Sequence, residues 1–244
     1  MRERIDYAIK TLRPIGRNLF ILLKWLALAT LVGFVAGGVS TLFAEAMTFV
    51  TAFRLEHTWL ILLLPVGGIV IVTTYKLLHN ENDKGTNLIL AGIHSGDEVP
   101  SRVAPLIIFS TLVSHFFGAS VGREGAALQL GGSLGSFIGK IIHLDEQDRK
   151  VMIMCGMSAA FAALFGTPMA AAIFAIEVVQ VGIMYYAALV PCIFAALVAS
   201  NFSASMGINP EAFVIKEIPD ITILNMGRTV LLLSLIHISE PTRP

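Results

Sequence analysis

The chain has 244 residues, 55% of them hydrophobic and 14% charged, with a mean hydropathy of +0.77. A soluble domain of this length carries about 25% charged residues, so this composition argues against one. The net charge is zero, and no basic excess points to nucleic acid as a partner. Residues 25–44, 57–75, 103–122, 151–176 and 178–210 contain no Asp, Glu, Lys or Arg. Roughly 20 apolar residues carry a helix across the hydrocarbon core, so several of these runs are long enough to span it. An all-α, polytopic membrane protein is the expectation, with the bilayer as its solvent.

In chain order, residues 1–17 read as a cytoplasmic segment, with a short amphipathic helix over 2–14. Residues 1–24 hold Arg2, Arg4, Lys10, Arg13, Arg17 and Lys24 against Glu3 and Asp6. That bias places the N-terminus inside. The basic region is long and the apolar run behind it is of spanning length, unlike a cleavable signal peptide. Residues 18–50 form a first membrane helix, and 58–78 a second. Residues 79–102 are polar at both ends and apolar between, which suits a re-entrant or partial helix. Residues 103–119 form a further hydrophobic helix, and another runs from about 124 to 142. Residues 143–150 are a charged loop. Two helices, 151–165 and 168–181, are divided by Gly166-Thr167-Pro168. Residues 183–205 span again, 209–220 are a loop, and 221–233 begin a last helix.

Residues 234–244, SLIHISEPTRP, do not continue that apolar pattern and read as translated sequencing-adapter sequence. They are expected to be non-native, with the natural protein continuing and this chain a fragment of it. Cys155 and Cys192 fall inside apolar helices and are expected to pack rather than bond. Histidines 57, 79, 94, 115 and 143 show no metal-ligand spacing. No cofactor is expected, and no nucleophile–base set or phosphate loop points to an enzyme.

The strongest local signal is GREGAALQLGG at 122–132. Two glycines flank a charged pair at the start of an apolar helix. Helix starts present unpaired amides and positive partial charge, which suit an anion. Glycine lets an ion or a side chain come close to that backbone. An acid there can occupy the anion's place and, once protonated or displaced, admit it. On the residues alone Glu124 is either such a gate or a helix cap paired with Arg123. An ionisable residue at membrane depth favours function.

This stretch resembles the GREGPxVQ signature of the CLC family of chloride channels and proton-coupled anion transporters. A second segment, MSAAFAALFGTPMAAAIFAIEVV at 157–179, is similar to that family's AAFNAPLAGxxFxxE. The resemblance covers roughly residues 18–232, the first of the family's two inverted repeats, within an expected domain of 18–233. It implies that Glu124 is the gate and that Gly122, Arg123, Gly125 and Ala126 form the loop around the anion. The family's proline is Ala126 here.

The family's central motif, GSGIP in many members, has its nearest counterpart in Asp83-Lys84-Gly85-Thr86-Asn87. Lys84, Gly85 and Thr86 are then anion-site residues. Lys84 is either a fixed cation beside the path or a surface partner of Asp83 or Glu81, and Thr86 offers a neutral hydroxyl. Proton-coupled members carry adjacent glutamates where this chain has Glu177-Val178. The relay position becomes Val178, and Glu177 remains as a proton-pathway candidate or a structural cap. The resemblance implies transport of a small anion, chloride first, by a channel or proton-coupled exchanger in the cell membrane, dimeric when full length. A fluoride/proton antiporter of the same family and a non-conducting membrane scaffold or receptor are the alternatives.

Overall fold

The computed structural model describes residues 2–80, 83–179, 185–208 and 220–239, with side chains from residue 16 to residue 235. Its helices are α1 (Arg2–Glu56), α2 (Leu64–Leu77), α3 (Thr86–His94), α4 (Val103–Phe116), α5 (Glu124–Ile141), α6 (Glu146–Phe165), α7 (Pro168–Glu177), α8 (Leu189–Ser205) and α9 (Ile223–Ser239). Short 3-10 turns, Thr58–Leu63 and Tyr186–Ala188, lead into α2 and α8. No strand forms among the described residues. Among the described residues, three helical stretches are long and apolar enough to cross a membrane: Gly16–Glu56, Thr58–Leu77 and Tyr186–Ser205.

Several boundaries differ from the sequence reading. The expected helices over 2–14 and 18–50 are one helix, since Pro14 removes a backbone bond without ending α1. The expected loop 143–150 is half helix. Asp145 is extended, at ψ 169, and its carboxylate accepts the amide of Asp148 at 2.8 Å. This cap starts α6 at Glu146 and adds acidic residues where the helix dipole favours them. The charge-free run 151–176 is two helices because Gly166 turns left-handed, at φ 67, and Pro168 restarts the chain. The ends of the expected 168–181 and 183–205 elements touch residues 180–184, and most of the expected loop 209–220 is 209–219; both stretches lie outside the described residues.

α6 is the centre of the first unit, residues 1–210. Every residue from Val151 to Ala160 is buried. α5 lies against it almost backbone to backbone. A Cβ placed on Gly131 would overlap the carbonyl oxygen of Gly156, and one on Gly135 that of Met152. α1 meets α8 in the same manner: a Cβ on Gly33 would sit 2.9 Å from the Ala195 oxygen, and one on Gly37 2.9 Å from Ala199 Cα. In lipid no hydrophobic drive holds helices together, so close packing of small residues does it. Side-chain bonds add to this. Ser158 Oγ donates to the Cys192 carbonyl at 3.1 Å, and Ser203 Oγ to that of Ala163 at 2.8 Å. Cys155 and Cys192 are free and buried, their sulfurs 3.9 Å apart. At one end Lys24 on α1 pairs with Asp148 on α6.

The second unit, residues 211–244, contains α9. It begins at Ile223, after Thr222, whose hydroxyl accepts the Asn225 amide at 3.2 Å. The helix runs to Ser239, into the segment 234–244 that the sequence sets apart.

Candidate functional site

α5 starts at Glu124, with Arg123 as its cap residue. The first bond of the helix runs from the Ala127 amide to the Arg123 carbonyl, at 2.9 Å. The amides of Glu124, Gly125 and Ala126 precede it and have no acceptor inside the helix. Ala126 matters here. A proline at this position has no N–H, whereas alanine keeps one. The Ala126 side chain turns the other way, into a buried cluster with Phe43, Met47 and Leu130. Glu124 is exposed, and its carboxylate lies back over Gly122. A Cβ on Gly122 would sit 2.5 Å from Glu124 Oε2, so a side chain there would require the exposed carboxylate to turn aside.

α3 starts at Thr86. Its cap residue Gly85 has φ 59 and ψ −136, a backbone conformation open to glycine and strained for other residues. Asp83 fixes the turn. Its Oδ1 accepts the Gly85 amide at 2.8 Å, and its Oδ2 accepts the Asn80 side-chain amide at 3.0 Å. The amides of Thr86 and Asn87 again open the helix without intrahelical acceptors, before Leu88 bonds the Gly85 carbonyl at 3.1 Å.

These two helix starts meet. A Cβ on Gly125 would lie 3.4 Å from Thr86 Oγ1, in ordinary contact, and one on Gly85 3.9 Å from Gln129 Nε2. The structure thus brings together Gly85, Thr86 and Gly125, and adds Gln129. Gln129 is 7% exposed. Among the sequence-predicted residues, Lys84 stands two positions before α3, exposed and without an ion pair among the described residues. Asp83 spends its oxygens on Asn80 and Gly85 instead. Glu177 is the exposed last residue of α7, a helix packed on α6 and α8, while Val178 packs against the main core. No cluster of three metal-ligating side chains forms among the described residues.

Sequence reasoning gave Asp83 and Gln129 no site role. Gln129 had a legible signal: it is the one large polar residue between Glu124 and Lys140, four positions after Gly125 and so on its face of α5. Asp83 had the spacing of an Asx turn onto Gly85.

The family model described as "Voltage gated chloride channel" matches residues 67–236. The chain belongs to the CLC family. A "Chloride/fluoride channel protein" of Pseudomonas syringae pv. tomato is 45% identical over 196 residues, covering 80% of this chain and 43% of that protein. An "H(+)/Cl(-) exchange transporter ClcA" of Cronobacter sakazakii is 27% identical over 191 residues, covering 72% of this chain and 41% of that protein. Among solved structures, a CLC-type fluoride/proton antiporter superposes with a TM-score of 0.78 at 35% identity, covering 89% of this chain and 55% of that one. A slow cyanobacterial Cl-/H+ antiporter, at 18% identity and a TM-score of 0.70, shares the fold. The chain therefore spans less than half the length of these two curated relatives. The CLC fold accounts for the broken helices. Helix ends inside a membrane are tolerated where they face protein or a cavity, and in this chain two of them face each other.

Proposed function

We propose that the full-length protein carries a small anion across the cell membrane, with Glu124 as the gate and the starts of α3 and α5 as one wall of the anion site. The observation that carries this reading is the approach of Thr86 Oγ1 to Gly125, which joins two helix N-termini beside a carboxylate. A helix start stabilises an anion by about 0.3–1 kcal/mol at an exposed site and up to about 2 kcal/mol when partly buried. Two starts aimed at one place act together. In this reading the ionised Glu124 holds the anion's position and yields it on protonation. Thr86, through its hydroxyl and amide, is the direct contact on α3, and Lys84 acts on the approaching anion from solvent.

A second reading, fluoride as the physiological ion with proton exchange, is favoured by one observation. The two relatives whose names include fluoride, one of them named for chloride as well, are 45% and 35% identical to this chain, whereas the chloride exchanger is 27% identical. Glu177 is retained as the candidate proton residue on the other side of the site, with Val178 unable to take part. The protein is taken to be a homodimer with its N-terminus in the cytoplasm, and residues 234–244 to be foreign to it.

The test is efflux from liposomes holding the full-length protein, with fluoride and chloride compared at two pH values, in wild type and Glu124→Gln. Anion-selective flux whose pH dependence disappears in Glu124→Gln supports the gate. Flux that keeps its wild-type pH dependence in the variant removes Glu124 from that role. No flux of either anion from the wild type favours a scaffold.

A further inference from the structure

Gln129 is an outlier on its helix. It is 7% exposed, yet it makes no hydrogen bond among the described residues. Most of the side chain is out of reach of solvent, but the carboxamide is not among the fully enclosed polar atoms, so its donors remain open to a small ligand. Its Nε2 points to Gly85 at the start of α3, 3.9 Å from where a Cβ would be. Gly85 cannot bond it through its amide, which is already given to Asp83. Gln129 is also one turn along α5 from Gly125, which Thr86 approaches from the other side.

We infer that the Gln129 carboxamide is a specificity-determining donor to the transported anion; this rests on the transport reading above. Its N–H₂ group lies beside the start of α3, one turn along α5 from Gly125, and would supply a directed hydrogen bond that the helix dipoles do not. The charged residues at the two helix starts are Asp83 and Lys84 before α3, and Arg123 and Glu124 at the start of α5. Both carboxylates have positions of their own, Asp83 on the Gly85 amide and Glu124 over Gly122. The carboxamide is thus a neutral donor available to a mobile anion. A hydrogen bond to a charged acceptor is stronger than one between neutral groups. A small, strongly hydrated anion gains most from it, because it has most hydration to replace. Gln129 should therefore favour fluoride over larger halides.

The experiment compares wild-type full-length protein with Gln129→Leu and Gln129→Glu, titrating sodium fluoride and sodium chloride by calorimetry and measuring both fluxes in liposomes. Gln129→Leu should weaken fluoride binding about tenfold and chloride binding less, lowering the fluoride-to-chloride ratio. Gln129→Glu keeps the shape and presents a carboxylate, so it should bind neither anion measurably at neutral pH. It also keeps the test open if the leucine variant does not fold. A role in helix packing alone leaves the ratio unchanged. Wild-type affinities and ratio in either variant overturn the inference and leave the transport reading standing. A wild type that binds neither anion overturns both.

Discussion

Replacing Gly131 by alanine tests the packing that holds the site. The added Cβ would lie 2.7 Å from the carbonyl carbon of Gly156 and 2.7 Å from Ala160 Cβ, and closer still to the Gly156 oxygen. Ordinary contact begins at 3.4 Å, so α5 and α6 must part by at least about 0.7 Å. The obstacle is backbone, which has no rotamer to give. Overpacking of this kind costs roughly 1–3 kcal/mol. A gap of about 0.5–1 Å also forfeits a quarter to a half of each neighbouring dispersion contact. Alanine's better helix propensity returns about 1 kcal/mol. The net loss is about 2 kcal/mol, or roughly 4–8 °C in midpoint for a unit of this size. Thermal unfolding in detergent, followed by tryptophan fluorescence, measures it. Gly38→Ala is the control, since its Cβ would meet only Phe202 Cε1, at 3.6 Å. A Gly131→Ala protein that melts with the wild type refutes the claim that these helices touch backbone to backbone.

Four further outcomes follow from the same geometry. Glu124→Gln should leave anion flux insensitive to pH, as read in the liposome assay. Thr86→Val should weaken anion binding about tenfold by removing a hydroxyl donor, whereas Lys84→Ser, at an exposed position, should change it less than about threefold at physiological salt; calorimetric titration ranks the two, and the reverse order would move the site toward Lys84. Residues 1–244 alone should show no selective chloride or fluoride flux, because an inverted-repeat transporter builds its site between two halves. Last, the Lys150 ammonium, 2.9 Å away, holds the Glu146 carboxyl below the usual carboxylate range, chiefly by hydrogen bonding and then by its charge. Its contribution is complete above the unfolded-state value of about 4.3 and is lost as pH falls through the lowered one. Glu146→Gln should therefore remove a small part of the acid-induced loss of stability.

Much of this was legible before any coordinates. The charge-free runs marked the helices, and Gly166-Thr167-Pro168 marked the break between α6 and α7. The glycine pair around Arg123 and Glu124 marked the start of α5. What could not be read is what depends on contacts distant in sequence. Nothing local says that Thr86 lies beside Gly125, or that Asp83 turns from Lys84 to the Gly85 amide. The early start of α6 was readable in principle, since Asp145 stands three residues before Asp148, but the density of charge made 143–150 look like a loop. Residues 79–102 show the reverse case. Their polar ends and apolar middle announced a partial helix, and α3 is nine residues long.

The contact between Gly131 and Gly156 also bears on how a gate at Glu124 can move. Two helices touching through their backbones, with Gly135 seated on Met152 one turn further along, cannot slide past each other without climbing over carbonyl groups. α5 is thereby a fixed post. In the reading proposed above, the gate would open by rotation about the side-chain bonds of Glu124, a motion of picoseconds to nanoseconds for an exposed residue. The proposed gate would then swing one carboxylate while α5 stays seated on α6.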